Sequence, residues 1–144
     1  MMRVSRLLAS KGRDVATISK ERSVRDALAL LKERRIGALV VTGAKPPLVG
    51  IFSERDAVRA LATSGASALD EKIEDLMTKD VVVCTEATLL NELMTMMTER
   101  RIRHVPVVEN AKLVGLISIG DVVKARLEEL ENDKKDLLDY VSGR

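Results

Sequence analysis

Glu33-Arg34-Arg35-Ile36 returns 66 residues later as Glu99-Arg100-Arg101-Ile102, and the fold is read outward from that recurrence. The same offset carries the apolar spacing ahead of it: Val24, Ala27, Leu28 and Leu31 become Leu90, Leu93, Met94 and Met97. Both sets follow the i, i+3, i+4, i+7 pattern of a helix that buries one stripe. Ser23 with Asp26, and Thr88 with Asn91, stand where side-chain oxygens would cap the first turns. Behind the helices, Ala38-Leu39-Val40-Val41 and Val105-Pro106-Val107-Val108 read as strands. Each is followed by a turn and a second strand, Leu48-Val49-Gly50-Ile51-Phe52 and Leu113-Val114-Gly115-Leu116-Ile117. Gly50 and Gly115 differ by 65, so the turn Glu109-Asn110-Ala111-Lys112 is one residue shorter than its counterpart. A length change confined to a hairpin tip is what a structural repeat tolerates.

Ser53-Glu54-Arg55-Asp56 and Ser118-Ile119-Gly120-Asp121 each open a second helix, while Val15-Ala16-Thr17-Ile18-Ser19 and Val81-Val82-Val83-Cys84-Thr85 supply a first strand. The unit is strand, helix, strand, strand, helix. A unit of roughly fifty residues buries little surface alone, so the two copies are expected to pack sheet against sheet about a pseudo-twofold axis. The organisation read from the sequence is an N-terminal segment 1–14, repeat 1 at 15–62, a linker and lead-in at 63–80, repeat 2 at 81–127 and a C-terminal helix extension at 128–144. Residues 62–69 are small and flexible in composition. From Asp121 to Ser142 there is no Gly or Pro, and Val123, Leu127, Leu130, Leu137 and Val141 make an apolar seam. That seam either packs back on its own module or contacts a second chain.

Composition narrows the function. Hydrophobic residues make up 46% of the 144-residue chain and aromatics 1%, so the core is aliphatic, with Met77, Met94, Met96 and Met97 as filling. A net charge of +2 gives no general field for nucleic acid or an anionic membrane. No segment approaches the ~20 apolar residues that span a bilayer. Cys84 is the one cysteine, which rules out an intrachain disulfide and makes the cytoplasm the expected compartment. There is no Gly-x-Gly-x-x-Gly, Walker loop, Gly-x-Ser-x-Gly or Cys/His cluster, and His104 is the one histidine, so neither an enzyme nor a metal site is expected.

Ser53 and Ser118 end a strand and begin a helix, where unpaired amides and the helix dipole suit an anion. Asp56 and Asp121, three residues on, could accept both hydroxyls of a ribose. Ser-x-x-Asp is also an ordinary capping box. Arg34, Arg35, Arg100 and Arg101 read equally as solvated helix ends.

With the two Gly-apolar-apolar-Ser-x-x-Asp segments and the phrase Asp75-Leu76-Met77-Thr78 before copy two, the sequence resembles tandem CBS domains, a Bateman module, over roughly residues 15 to 127. The resemblance implies an α+β (α/β-like) fold of two βαββα repeats with packed sheets and a long C-terminal helix. It implies a non-catalytic regulatory module for energy or redox sensing that needs no cofactor. The ligand would be AMP, or ADP, ATP or NADH. It also implies a disc-shaped homodimer and an unidentified regulated protein. In the family the Asp of one repeat works with the first strand of the other. Carried over, Ser118, Ile119, Gly120 and Asp121 face Ala16, Thr17 and Ile18, and Ser53, Arg55 and Asp56 face Val82, Val83 and Cys84. Phosphates would meet Arg103 and His104, where copy one has Gly37 and Ala38. That departure makes the Asp121 site the stronger, with Arg55 adding charge to the other. The competing expectation is an interaction protein whose clefts are vestigial.

Overall fold

A computed structural model describes residues 1–143. Its elements are α1 (Val4–Lys11), β1 (Thr17–Ser19), α2 (Val24–Arg34), β2 (Ala38–Thr42), β3 (Gly50–Ser53), α3 (Glu54–Ser64), α4 (Leu90–Arg100), β4 (His104–Glu109), β5 (Lys112–Ser118) and α5 (Ile119–Val141). The fold is the mixed α+β arrangement of two repeats expected from the offset. Sheet one has the order β1-β2-β3, with β1 parallel and β3 antiparallel to β2; sheet two is the antiparallel pair β4-β5.

The helical stripes bury as their spacing requires. Val24, Ala27 and Leu31 of α2, and Leu90, Leu93 and Met97 of α4, are buried under their own sheets. Strand periodicity then sorts the two faces of β2 and β3. Leu39, Val41 and Phe52 turn toward the helices, whereas Ala38, Val40 and Ile51 are buried on the opposite face, which looks toward the other repeat.

Three expectations change. Ser23 caps α2 in a reciprocal box with Asp26, but α4 starts one residue later than expected, at Leu90. Thr88 accepts the Thr85 amide instead, at 3.1 Å, and Asn91 has no capping role; Glu92 accepts the Leu89 amide at 3.2 Å. Residues 81–85 form no strand. Only Cys84 bridges to β4, donating to the Pro106 carbonyl at 3.0 Å and accepting from Val108 at 2.9 Å. On either side the chain is pulled away, since Val81 donates to Lys79 and Thr85 to the Thr88 hydroxyl. The connection at 62–69 is ordered, with α3 running on to Ser64 and a 3-10 turn at Gly65–Asp70 that buries Ala68.

The core is two clusters, and each is completed by a lead-in segment from outside the repeat it covers. Val4, Leu7 and Leu8 of α1 complete the cluster of repeat 2, beside Leu90, Leu93, Val105 and Ile117. Ile73, with Leu69, Leu76 and Met77, completes that of repeat 1. The crossed lead-ins dock identically. Leu90 donates to the Met2 carbonyl as Val24 does to Glu71; Val4 donates to Thr88 as Ile73 does to Arg22; Ser5 donates to Glu86 as Glu74 does to Lys20. Each lead-in thus satisfies the amide at the start of a helix in the other repeat. Close approach explains the paired glycines: a Cβ on Gly115 would lie 2.6 Å from Leu8 Cδ2, and one on Gly50 2.6 Å from Met77 Sδ and 2.8 Å from the Thr78 carbonyl. The glycine in each Gly-apolar-apolar-Ser segment is there to admit the lead-in.

Candidate functional site

Two clefts open between the repeats, one beside each Ser-x-x-Asp. Both segments are full capping boxes. Ser53 Oγ accepts the Asp56 amide at 3.3 Å while Asp56 Oδ2 accepts the Ser53 amide at 2.9 Å. The corresponding distances for Ser118 and Asp121 are 3.2 and 2.8 Å. The first amide of each helix is also occupied, Glu54 donating to Gly37 at 3.0 Å and Ile119 to Arg103 at 2.8 Å. The serine hydroxyls therefore serve the helices first, and the anion site expected at these N-termini is largely filled by the protein's own acceptors.

The Asp121 cleft, about 320 Å³, is lined by Lys11, Asp14, Val15, Ala16, Arg35, Ile36, Gly37, Ala38, His104, Leu116, Ser118 and Asp121. Its carboxylate is already paired: Lys11 Nζ lies 2.5 Å from Asp121 Oδ2 and 2.7 Å from the Leu116 carbonyl. Burial pushes the Asp121 pKa up, but the Lys11 ammonium and the Ser118 amide and hydroxyl outweigh it and hold the group below the usual carboxylate range.

The Asp56 cleft is larger, about 580 Å³, and differently charged. Arg55 and Arg59 of α3 and Arg100, Arg101 and Arg103 around the end of α4 all line it, against Glu54, Asp56 and Asp80. None of these five arginines makes an ion pair among the described residues. Asp56 is 8% exposed, and besides Ser53 it accepts only a long 3.4 Å bond from the neutral Thr78 hydroxyl. Arg101 is left-handed, φ 53°, at a helix C-terminus where glycine is the usual residue, and Arg35 repeats this at φ 55° beside the other cleft.

The structure brings together Ala16, His104, Ser118 and Asp121 around one cleft, and Ser53, Arg55, Asp56, Val82, Arg103 and His104 around the other. Arg103, expected to meet phosphates beside Asp121, lines the Asp56 cleft and not the Asp121 cleft. Six other expected contacts line neither cleft. Thr17 and Val83 are exposed, and Ile18 and Cys84 point into the helix-backed clusters, as matching positions of the two repeats should. Ile119 and Gly120 are exposed on the first turn of α5, where Gly120 has no side chain to offer. Burial, then the charge of Glu109, pushes the Cys84 thiol up to about 12, so it stays protonated and unreactive. Lys11, Asp14, Asp80, Thr78, Arg59, Arg35, Arg100 and Arg101 line the clefts without having been anticipated there. For the last three, the Glu-Arg-Arg-Ile repeat was the available signal, with arginine standing where a helix usually ends on glycine.

His104 joins the two clefts. Its ring packs over Gly37, 3.6 Å from where a side chain would begin, a space open only because copy one is small at this position. Burial lowers its pKa, with Asp121 and Glu54 opposing and Lys11 and Arg103 assisting. The folded chain thus refuses a proton that the unfolded chain takes up, and stability is complete above the unfolded pKa near 6.5 and declines as pH falls below it. The melting temperature of the wild type should therefore drop more between pH 7.5 and pH 5.5 than that of His104→Gln. Equal slopes would contradict a buried neutral ring. Asp121, with its lowered pKa, contributes above the unfolded carboxylate value and loses that contribution only at more acid pH, outside this window.

The family model of the CBS domain matches residues 6–63 and 73–128, each match beginning at or inside a crossed lead-in. The chain belongs to the CBS-domain family. A CBS-domain-containing protein of Agrobacterium tumefaciens is 49% identical, covers 87% of this chain and 99% of its own, and superposes with a TM-score of 0.84. The CBS domain-containing protein CBSX3, mitochondrial, of Arabidopsis thaliana is 33% identical over 148 residues, 97% of this chain and 72% of its own. The CBS domain pair of protein MJ0100, solved in complex with 5′-methylthioadenosine and S-adenosyl-L-methionine, is 25% identical with a TM-score of 0.76 and covers 86% of this chain and 98% of its own. No helix among the described residues is long and apolar enough to cross a membrane.

Proposed function

We propose that this CBS pair is a non-catalytic regulatory module of the cytoplasm that binds an adenine nucleotide, AMP, ADP, ATP or NADH, between its repeats and reports energy or redox state to a partner protein. The Asp56 cleft is the ligand site. One observation carries the reading: five arginines without ion-pair partners among the described residues surround a buried carboxylate that stands opposite the apolar side chains of the other repeat. Guanidinium groups bind phosphate through paired N–H donors, and a carboxylate with a free lone pair accepts ribose hydroxyls. The adenosine ligands in the MJ0100 complex support the same class of molecule.

The module is read as a homodimer. Val123, Leu127, Leu130, Leu137 and Val141 of α5 are all exposed, so the apolar seam does not fold back on its own chain. The same seam favours a second reading, an interaction protein with vestigial clefts, and ligand binding separates the two. A ligand at a hundredfold excess over its dissociation constant adds ~2.7 kcal/mol to the folded state, and a 144-residue domain should then melt several degrees higher. A panel of adenine and guanine nucleotides, NADH and S-adenosylmethionine should show that rise for adenine ligands. A flat panel, with no heat in calorimetry, leaves the interaction reading.

A further inference from the structure

We propose that Lys11 is a built-in occupant of the Asp121 cleft, so that the chain takes one nucleotide and not two. This rests on the nucleotide-binding reading and goes beyond it by assigning the stoichiometry and the residue that sets it.

The geometry is specific to one of two otherwise matched sites. In both clefts the lower carboxylate oxygen is spent on its capping box. At Asp121 the same Oδ2 that accepts the Ser118 amide also accepts the Lys11 ammonium at 2.5 Å. The lysine is fixed a second time by the Leu116 carbonyl at 2.7 Å. Two charge-assisted or strong bonds hold the ammonium in the wall of the cleft, where it neutralises the carboxylate that would receive ribose hydroxyls, although Asp121 Oδ1 has no hydrogen-bond partner among the described residues. In the crossed-lead-in alignment the position matching Lys11 is Asp80, an acid that lines the Asp56 cleft. No cation therefore blocks Asp56; its remaining partner, the Thr78 hydroxyl at 3.4 Å, is neutral and free to rotate.

Charge points the same way. The Asp121 cleft holds Lys11 and Arg35 against Asp14 and Asp121, which cancel formally, while the Asp56 cleft holds five arginines against three acids. A polyphosphate is drawn to the second and gains nothing from the first. Lys11 also has a mechanical anchor. It ends α1, whose other end is tied to α5 by the Met2 amide on Glu129 Oε2 at 3.0 Å and whose Leu7 and Leu8 are buried in the core of repeat 2. The ammonium is thus delivered by a docked helix, not by a wandering side chain.

The test is nucleotide stoichiometry by native mass spectrometry and calorimetry, with ATP as the probe, on the full chain. Wild type should bind one ATP per chain, Lys11→Met two, and Lys11→Met with Asp121→Asn one again. Lys11→Met should tighten the second site roughly ten- to a hundredfold, the worth of a hydrogen bond to a charged group. Met preserves the aliphatic stem, and a single cooperative melting transition at pH 7, lowered at most by the loss of the Lys11–Asp121 pair, confirms that the variant is folded. Two ATP per chain in the wild type, or one in Lys11→Met, overturns the proposal. Loss of ATP from the Asp121 cleft on substitution also overturns it, by making Lys11 a ligand contact. ATP binding to no variant removes the nucleotide reading itself, a result distinct from a wrong count.

Discussion

A chain that starts at residue 13 is expected not to fold its second repeat. Such a truncation removes Val4, Leu7 and Leu8, which are 0%, 4% and 0% exposed in a cluster otherwise built more than seventy residues away. At ~1.5–3 kcal/mol for each buried aliphatic side chain, the loss is about as large as the whole stability of an ordinary domain. The start of α4 is also stripped of its Met2 acceptor, and the capping of α5 loses the Lys11 contact. A single substitution gives the graded version. Leu8→Ala should cost about 2–5 kcal/mol, the same range as Leu93→Ala within the repeat, because both leave a cavity in one cluster. Urea unfolding followed by amide exchange checks this, with protection lost first in α4, β4 and β5. A truncated or Leu8→Ala chain that unfolds at the wild-type midpoint would show that α1 is only an appendage.

Replacing Arg100, Arg101 and Arg103 together by alanine should weaken adenine-nucleotide binding roughly a hundredfold to ten-thousandfold, as two charge-assisted phosphate contacts of ~1.5–3 kcal/mol each would require. All three are exposed at the end of α4 and the lead into β4, so folding should survive. Arg101 offers a sharper discriminator. Its left-handed backbone strains any residue with a Cβ, so Arg101→Gly should raise stability by about 1 kcal/mol while weakening the ligand. Calorimetry and melting read both quantities on one sample. If Arg101→Gly stabilises the chain and leaves affinity untouched, the arginine is a solvated helix end and nothing more.

What could be read from the sequence was whatever repeats at fixed spacing. The 66-residue offset located both amphipathic helices, and its shortening to 65 across the hairpin turn located both second strands and both Ser-x-x-Asp starts, because period and capping chemistry are local. The lead-ins were hidden for a different reason. Val4, Leu7 and Leu8 match Ile73, Leu76 and Met77 only as an apolar pattern, at an offset of 69, and the surface each covers belongs to the other repeat. The Lys11–Asp121 pair joins residues 110 apart and has no local signature. Arg103 and His104 are neighbours in sequence, yet one lines a single cleft and the other lines both, because the chain turns into β4 between them. The strand expected at 81–85 shows the opposite error. Three valines gave it β-propensity, but only Cys84 has a ladder partner.

Everything functional follows from the arginine-lined cleft being the one that holds the ligand. A crystal grown with ATP decides it. The adenosine should lie between Asp56 and Val82, with phosphates against Arg100, Arg101 and Arg103 and Lys11 still seated on Asp121. Density for the nucleotide beside Asp121, with the arginine cleft empty, would contradict the account.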